Sequence, residues 1–358
     1  MEDEHKININ NIRTTSFLLA PLDWGLGHTT RCLPIIKRLQ EQNINVQVAC
    51  NARQAQLIKG EFPSISIVPL EGYDLTYGSS RISTVVTIIL QIPKILSRIN
   101  REKQWLARFL SQNKIDAVIS DSRFGFNHSS TYSIFITHQL RIKSPFGKWI
   151  EDRLQKWNLS FINRFNECWV MDFEGDQNLA GDLSHTKSLP SIPTKCIGAV
   201  SRFKNADVVP ANSLDVLVIL SGPEPQRSLF ENLMRKDLEN FKGTFVMAKD
   251  LSTPELEKNI QRAKYVISRT GYTTVMDMVA MKKKSILIPT PGQSEQEYLA
   301  MYLTEKKLAL CIPQKEFNLE GALERAAKFE YADVEKFDFS QYQRMIDQFL
   351  VDQNFLGR

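Results

Sequence analysis

The sequence predicts an α/β protein built of two doubly wound, Rossmann-like domains that face each other across a cleft. Two observations carry this. Short β-branched runs alternate with helical patterns in two separate series, the signature of parallel sheets covered by helices on both faces. A chain of 358 residues is also long for one domain and ordinary for two.

The first series places strands at 16–20, 45–49, 64–68, 116–120 and 133–137, followed by 168–171 and 194–197. Helical stretches separate most of them, at about 29–42, 84–111 and 145–166. The second series opens at 215–220 and continues at 244–247, 265–268, 285–289 and 308–312. Its helices are expected at about 227–240, 254–262, 272–282, 294–306 and 319–328. Between the series, 200–213 carries Pro210 and few periodic apolar residues and reads as a linker. The expected division is 1–199 for the first domain and 214–333 for the second. Two such domains leave a crevice at the carboxyl ends of their strands, where ligands bind in open parallel sheets.

Composition excludes several classes. With 42% hydrophobic and 24% charged residues the chain is neither disordered nor fibrous. Cys32, Cys50, Cys168, Cys196 and Cys311 form no C-x-x-C pair, so buried reduced thiols are expected rather than a zinc site or a disulfide framework. The N-terminus is acidic, its first apolar run is too short for a signal core, and no run reaches the roughly 18 apolar residues of a spanning helix. A cytoplasmic location is the expectation. The net charge of +5 is uneven: residues 81–164 hold 14 basic and 5 acidic side chains. That excess suits an anionic substrate, an anionic membrane face or a solvated surface. No clustered aromatics mark a nucleic-acid module.

Five segments carry candidate chemistry. In Asp23-Trp24-Gly25-Leu26-Gly27-His28, two glycines follow the first strand and open a helix, whose free amides favour an anion. The third glycine of the dinucleotide fingerprint is missing. His28 stands at the crevice mouth, where a neutral imidazole could take a proton from a hydroxyl. Asp121 ends the strand 116–120 and would fix the His28 tautomer if it bonds the far ring nitrogen; a turn aspartate is the plainer alternative. His138 ends the next strand and adds a second imidazole near the cleft.

In the second domain, Ser221 and Gly222 precede a helix and could cradle phosphate, a weak signal alone. Arg269-Thr270-Gly271-Tyr272-Thr273 joins a strand to a helix and suits a diphosphate. Asp277, two turns along that helix, could accept from ribose hydroxyls. Gln296 and Glu297 begin the helix after the strand 285–289 and could receive sugar hydroxyls.

In this order the segments resemble GT-B glycosyltransferases, nearest the branch that adds N-acetylglucosamine to the undecaprenyl-linked peptidoglycan precursor. Gly25-Leu26-Gly27-His28 is similar to that branch's glycine-rich loop, and Arg269 to Asp277 to its donor signature, with Asp277 replacing a glutamate. Gln296 and Glu297 fall where the branch has a Gln-Gln pair. Ser221-Gly222-Pro223-Glu224-Pro225 departs from its Gly-Gly-Ser run. Asp121 lies where a related plant-type branch keeps an aspartate that assists its histidine. The resemblance spans residues 16 to about 312.

It implies inverting transfer of a hexose or N-acetylhexosamine from a UDP-sugar, with His28 and Asp121 as catalytic pair. Gly27, Ser221, Gly222, Arg269, Thr270, Gly271, Tyr272, Thr273, Asp277, Gln296 and Glu297 would bind the donor. No cofactor or metal is implied, and no D-x-D occurs. It also implies that an amphipathic C-terminal helix within 334–358 crosses back to the first domain. The acceptor, a glycan or a lipid-linked molecule, is not identified. An apolar stretch from Thr84 to Leu96, followed by Arg98, Arg101, Lys103 and Arg108, could rest on an anionic membrane or be a buried helix. A UDP-sugar epimerase of similar fold and a non-catalytic nucleotide-sugar-binding subunit are the alternatives.

Overall fold

A computed structural model describes residues 14–76, 78, 83, 87, 90–203, 213–249 and 251–356. Two parallel sheets organise them. The first runs in the order β3-β2-β1-β4-β5-β6-β7: β1 (Ser16–Pro21), β2 (Asn45–Cys50), β3 (Ser66–Pro69), β4 (Ala117–Asp121), β5 (Tyr132–Thr137), β6 (Glu167–Val170) and β7 (Thr194–Cys196). The second runs β12-β11-β10-β8-β9: β8 (Leu214–Ile219), β9 (Phe245–Ala248), β10 (Ala263–Arg269), β11 (Ser285–Ile288) and β12 (Leu310–Cys311). All ten strand pairings are parallel.

The helices are α1 (Gly27–Glu41), α2 (Ala52–Glu61), α3 (Ile92–Gln112), α4 (Lys148–Ile162), α5 (Gln226–Leu238), α6 (Thr253–Arg262), α7 (Tyr272–Ala280), α8 (Ser294–Glu305), α9 (Leu319–Lys328) and α10 (Gln341–Asp352). The central strands are buried on both faces: Phe17, Leu18, Leu19 and Ala20 of β1 are all fully inaccessible. That is why they read as continuous apolar runs rather than alternating ones.

Helix α2 was not expected. Its start is fixed locally by a capping box: Asn51 accepts from the Gln54 amide, and the Gln54 side chain accepts from the Asn51 amide. The expected C-terminal helix is α10. Its Ile346, Phe349 and Leu350 share one buried cluster with Phe17, Ile36 and Leu39 of the first domain, and Arg38 of α1 pairs with Asp347. Most of the expected linker, 204–212, and residues 84–86 and 88–89 of the apolar stretch lie outside the described residues. Among the described residues no helix is long and apolar enough to cross a membrane.

Candidate active site at two facing switch points

In a doubly wound sheet the strand order reverses at one place, where the loops above the strand ends part to leave a crevice. In the first sheet this is between β1 and β4, in the second between β8 and β10. The glycine loop follows β1 and Asp121 ends β4, its neighbour in register with Pro21. Ser221 follows β8 and Thr270 follows β10, again across the reversal. The candidate residues therefore stand at the two crevices.

The glycine loop is held from below. Asp23 accepts from the Tyr73 amide at 3.0 Å, and the fully buried Arg123 donates to the Pro21 carbonyl at 2.9 Å and pairs with Glu102. Gly25 has φ +78°, a left-handed conformation that a side chain would strain. Ser122 takes the same region at φ +61°, directly after Asp121. A non-glycine residue there holds local strain beside the site.

His28 Nδ1 lies 3.2 Å from Asp121 Oδ2. Arg31, one turn further along α1, joins them: its Nε donates to Asp121 Oδ2 at 2.8 Å, Nη2 to Asp121 Oδ1, and Nη2 also lies 2.8 Å from His28 Nδ1. A ring nitrogen can donate to the carboxylate or accept from the guanidinium, but not both. Donation leaves Nε2 as a proton acceptor toward the crevice. Acceptance puts the proton on Nε2. Burial, then the Arg31 charge, lowers the His28 pKa below its usual 6.5 against the opposing pull of Asp121. Burial would raise the Asp121 carboxyl, but Arg31 and His28 outweigh it and hold it well below the carboxylate range. Arg31 itself was not singled out in the sequence. Its signal is a single cation at i+3 from His28, facing inward among Cys32, Leu33, Ile35 and Ile36.

The two domains meet here. Thr273 Oγ1 donates to the Gly27 carbonyl at 3.2 Å, and Tyr272 donates its hydroxyl to the Met171 carbonyl at 2.7 Å. His138 stacks on Tyr272, with ring centroids 4.5 Å apart and planes within 5°. His138 Nε2 lies 3.0 Å from Glu295 Oε1. Burial would raise the Glu295 carboxyl, yet His138, His28 and Arg31 bring it below its usual value.

Of the expected donor residues, Gly27, Tyr272 and Thr273 are taken up in these contacts between the domains, and the rest fall into two groups. Gly271 N-caps α7 without any side chain capping the helix, so its first amides lack a side-chain partner. Thr270 is fully buried and, among the described residues, its Oγ1 has no hydrogen-bond partner. Gly222 has φ +101°, and Ser221 Oγ lies 3.3 Å from Ser268 Oγ. All four stand just beyond the carboxyl ends of β8 and β10, at the second reversal of strand order.

Four side chains are turned elsewhere. Arg269 packs over Phe230 at 4.6 Å and donates to the Gln226 and Pro289 carbonyls, inside the second domain. Asp277 accepts from Ser201 Oγ at 2.7 Å, at the start of the expected linker, rather than standing free for a ribose. Burial raises its pKa to about 6. Gln296 and Glu297 accept from the amides of Thr290 and Gly292 and brace their own loop; the residue of that helix that reaches across is Glu295. Sequence position alone does not tell which of three neighbours on a helix start points outward. Two cavities, of about 360 Å³ beside Arg98 and Trp105 and about 590 Å³ beside His185 and Leu189, lie away from His28.

Residues 225–344, about a third of the chain, match the glycosyltransferase family 28 C-terminal domain. Among curated proteins, the UDP-N-acetylglucosamine–N-acetylmuramyl-(pentapeptide) pyrophosphoryl-undecaprenol N-acetylglucosamine transferase of Streptococcus agalactiae is 25% identical over 186 residues, covering 45% of this chain. The matched part spans about half, 51%, of that relative. Among solved structures, LpCGTa in complex with UDP superposes with a TM-score of 0.63 at 11% identity, covering 96% of this chain and all of that one. Acinetobacter baumannii MurG gives 0.52 at 12% identity, covering 95% and 99%. Arabidopsis thaliana UGT89C1 complexed with UDP-L-rhamnose gives 0.57 at 11% identity, covering 95% and 94%. The fold is thus that of the GT-B glycosyltransferases. Its second half resembles family 28, on the side of MurG.

Proposed function

We propose that the protein is an inverting glycosyltransferase that moves a hexose or N-acetylhexosamine from a UDP-sugar to an acceptor hydroxyl. The observation that carries this is the pairing of His28 with Asp121 directly opposite the uncapped start of α7. The amides after Gly271, with the orphan Thr270 hydroxyl and the turn at Ser221-Gly222, favour a diphosphate and the charge that grows on it as the bond to the sugar breaks. His28, in the tautomer that donates to Asp121, removes the acceptor proton through Nε2, and the oxygen attacks the anomeric carbon from the face opposite UDP.

The curated relative is named for a pyrophosphoryl-undecaprenol substrate, which supports a cell-envelope acceptor, a glycan or a lipid-linked one; the reading places the enzyme in the cytoplasm, at the inner face of the membrane. Leu90 just before α3, and Ile92 and Leu96 in its first turns, are exposed, as are Lys94 and Arg101, which suits contact with an anionic surface. Liposome flotation with and without anionic lipid tests that part.

The reading is tested by thermal shift with UDP, UDP-glucose and UDP-N-acetylglucosamine, since stabilisation follows RT ln(1 + [L]/Kd) without need of an acceptor. Stabilisation by a UDP-sugar is expected. No shift with any nucleotide sugar at millimolar concentration ends the proposal. Appearance of an epimer from UDP-N-acetylglucosamine alone would point to an epimerase, and binding with no turnover on any acceptor to a recruiting subunit.

A further inference from the structure

The second domain reaches the catalytic pair of the first through one chain of side chains. Glu295 stands at the start of α8, next to Gln296 and Glu297, which accept from amides of their own loop. Its carboxylate meets His138 Nε2 at 3.0 Å, and His138 Nδ1 lies 2.8 Å from Arg31 Nη1. A guanidinium has donors only, so Nδ1 must accept and the His138 proton must sit on Nε2, where it is donated to Glu295. The relay is therefore complete with a neutral imidazole. It runs Glu295, His138, Arg31, Asp121. The stacking of His138 on Tyr272, itself pinned to Met171, fixes the ring plane.

Arg31 is consequently held at three corners. Its Nε and Nη2 grip Asp121 and its Nη1 is tied to His138. Without that third tie the guanidinium can pivot about the carboxylate, and Nη2 is the group that competes with Asp121 for His28 Nδ1. We propose that Glu295 and His138 are positioning residues that couple meeting of the two domains to the orientation of Arg31, and through it to the presentation of Asp121 to His28. Glu295 is supplied by the other domain, so the pair is set correctly only when the crevice is closed. This rests on the glycosyltransferase reading for its kinetic consequence, but not for its structural one.

The test uses the full-length protein and the variants Glu295→Ala, Glu295→Gln, His138→Phe and the double variant Glu295→Ala/His138→Phe. Melting temperatures first confirm that each folds. Without any nucleotide, Glu295→Ala should speed amide exchange around 137–141 and 294–298 by about tenfold, a local opening that the intact contact suppresses. At saturating donor, Glu295→Ala and His138→Phe should each lower kcat by about tenfold while donor KM moves less than about threefold. Glu295→Gln, which keeps an oxygen acceptor for the His138 proton, should retain most of the rate. The double variant should be no worse than the poorer single one, as members of one chain require. Unchanged exchange in Glu295→Ala overturns the proposal whether or not the protein is a transferase. So does a multiplicative loss in the double variant, or a rise in donor KM that matches the loss, which would make Glu295 a donor contact instead.

Discussion

The carbonyl of Gly27 accepts from Thr273 Oγ1 at 3.2 Å, so the first turn of α1 and the first turn of α7 are fastened together across the crevice. A Cβ placed on Gly27 would lie 3.1 Å from the same hydroxyl oxygen. The approach is tight, and it is this closeness rather than the backbone angle that favours glycine here. Gly27→Ala should therefore push Thr273 away and lower kcat/KM by about tenfold, or about 1.4 kcal/mol. Thr273→Ala loses one hydrogen bond, worth about 1 kcal/mol. The double variant should lose less than the two separate effects combined, because the second change removes the clash made by the first. A kinetic double-mutant cycle reads this coupling, and strict additivity would mean that the two turns do not meet during turnover.

The proposed catalytic pair, His28 and Asp121, gives a pH signature. Burial and then Arg31 lower the His28 pKa, with Asp121 opposing. A base must be neutral, so activity is lost as pH falls through that lowered value, and the acid limb of kcat/KM should lie below pH 6.5. Asp121→Asn removes the opposing charge and should move the limb lower still while reducing kcat. His28→Ala should cut turnover by roughly 10²–10⁴-fold with donor affinity little changed. Wild-type turnover in His28→Ala would remove the imidazole from the mechanism.

How much of this could be read from the chain differs by level. The strands were legible because both faces of each sheet are covered, and a run such as Phe17 to Ala20 has no other use. The meeting of His28 and Asp121 was legible because Asp121 ends β4 and His28 opens the helix that follows the neighbouring β1, at a reversal of strand order where the segments after the strands converge. Side-chain direction on helix starts was not. Asp277 lies on the inner face of α7, buried against Ser201, although its spacing from Thr270 suits a ribose. Glu295 and Gln296 differ by one position and by about 100° around the helix, which sends one across the crevice and the other back to Thr290. Arg31 escaped notice because its partners, Asp121 and His138, are 90 and 107 residues away.

Asp277 predicts a dependence of stability on pH. Burial raises its pKa to about 6, against which the Ser201 hydroxyl and Arg202 pull only partly. A folded-state pKa above the unfolded value of about 3.9 means that the unfolded chain ionises first. The associated stability is full below pH 4 and lost as pH rises through 6. Asp277→Asn keeps an oxygen for Ser201 and has no charge to bury. It should match the wild type at pH 4 and exceed it above pH 6, by at most about 3 kcal/mol. Urea unfolding of both proteins at pH 4, 5, 6 and 8 measures the difference, and a gap that does not change with pH would place the carboxylate in a more polar setting.

Arg269 separates a structural from a donor-binding role within the same motif. Its side chain is 1% exposed, and burial lowers its pKa to about 10. It makes two long bonds to carbonyls, at 3.3 and 3.5 Å, and among the described residues its Nε has no partner and no carboxylate pairs with it. A buried cation so poorly matched contributes packing on Phe230 more than charge. Methionine has similar length and suits the same apolar wall. Arg269→Met should leave the unfolding free energy unchanged or raise it by about 1–2 kcal/mol, and should alter the Kd for UDP less than about threefold. If the guanidinium instead swings out to meet the diphosphate, its removal would weaken UDP binding by more than tenfold while stability stays level. Urea melts and a UDP titration on one protein preparation therefore distinguish an arginine that holds the α5 face of the domain from one that holds the ligand.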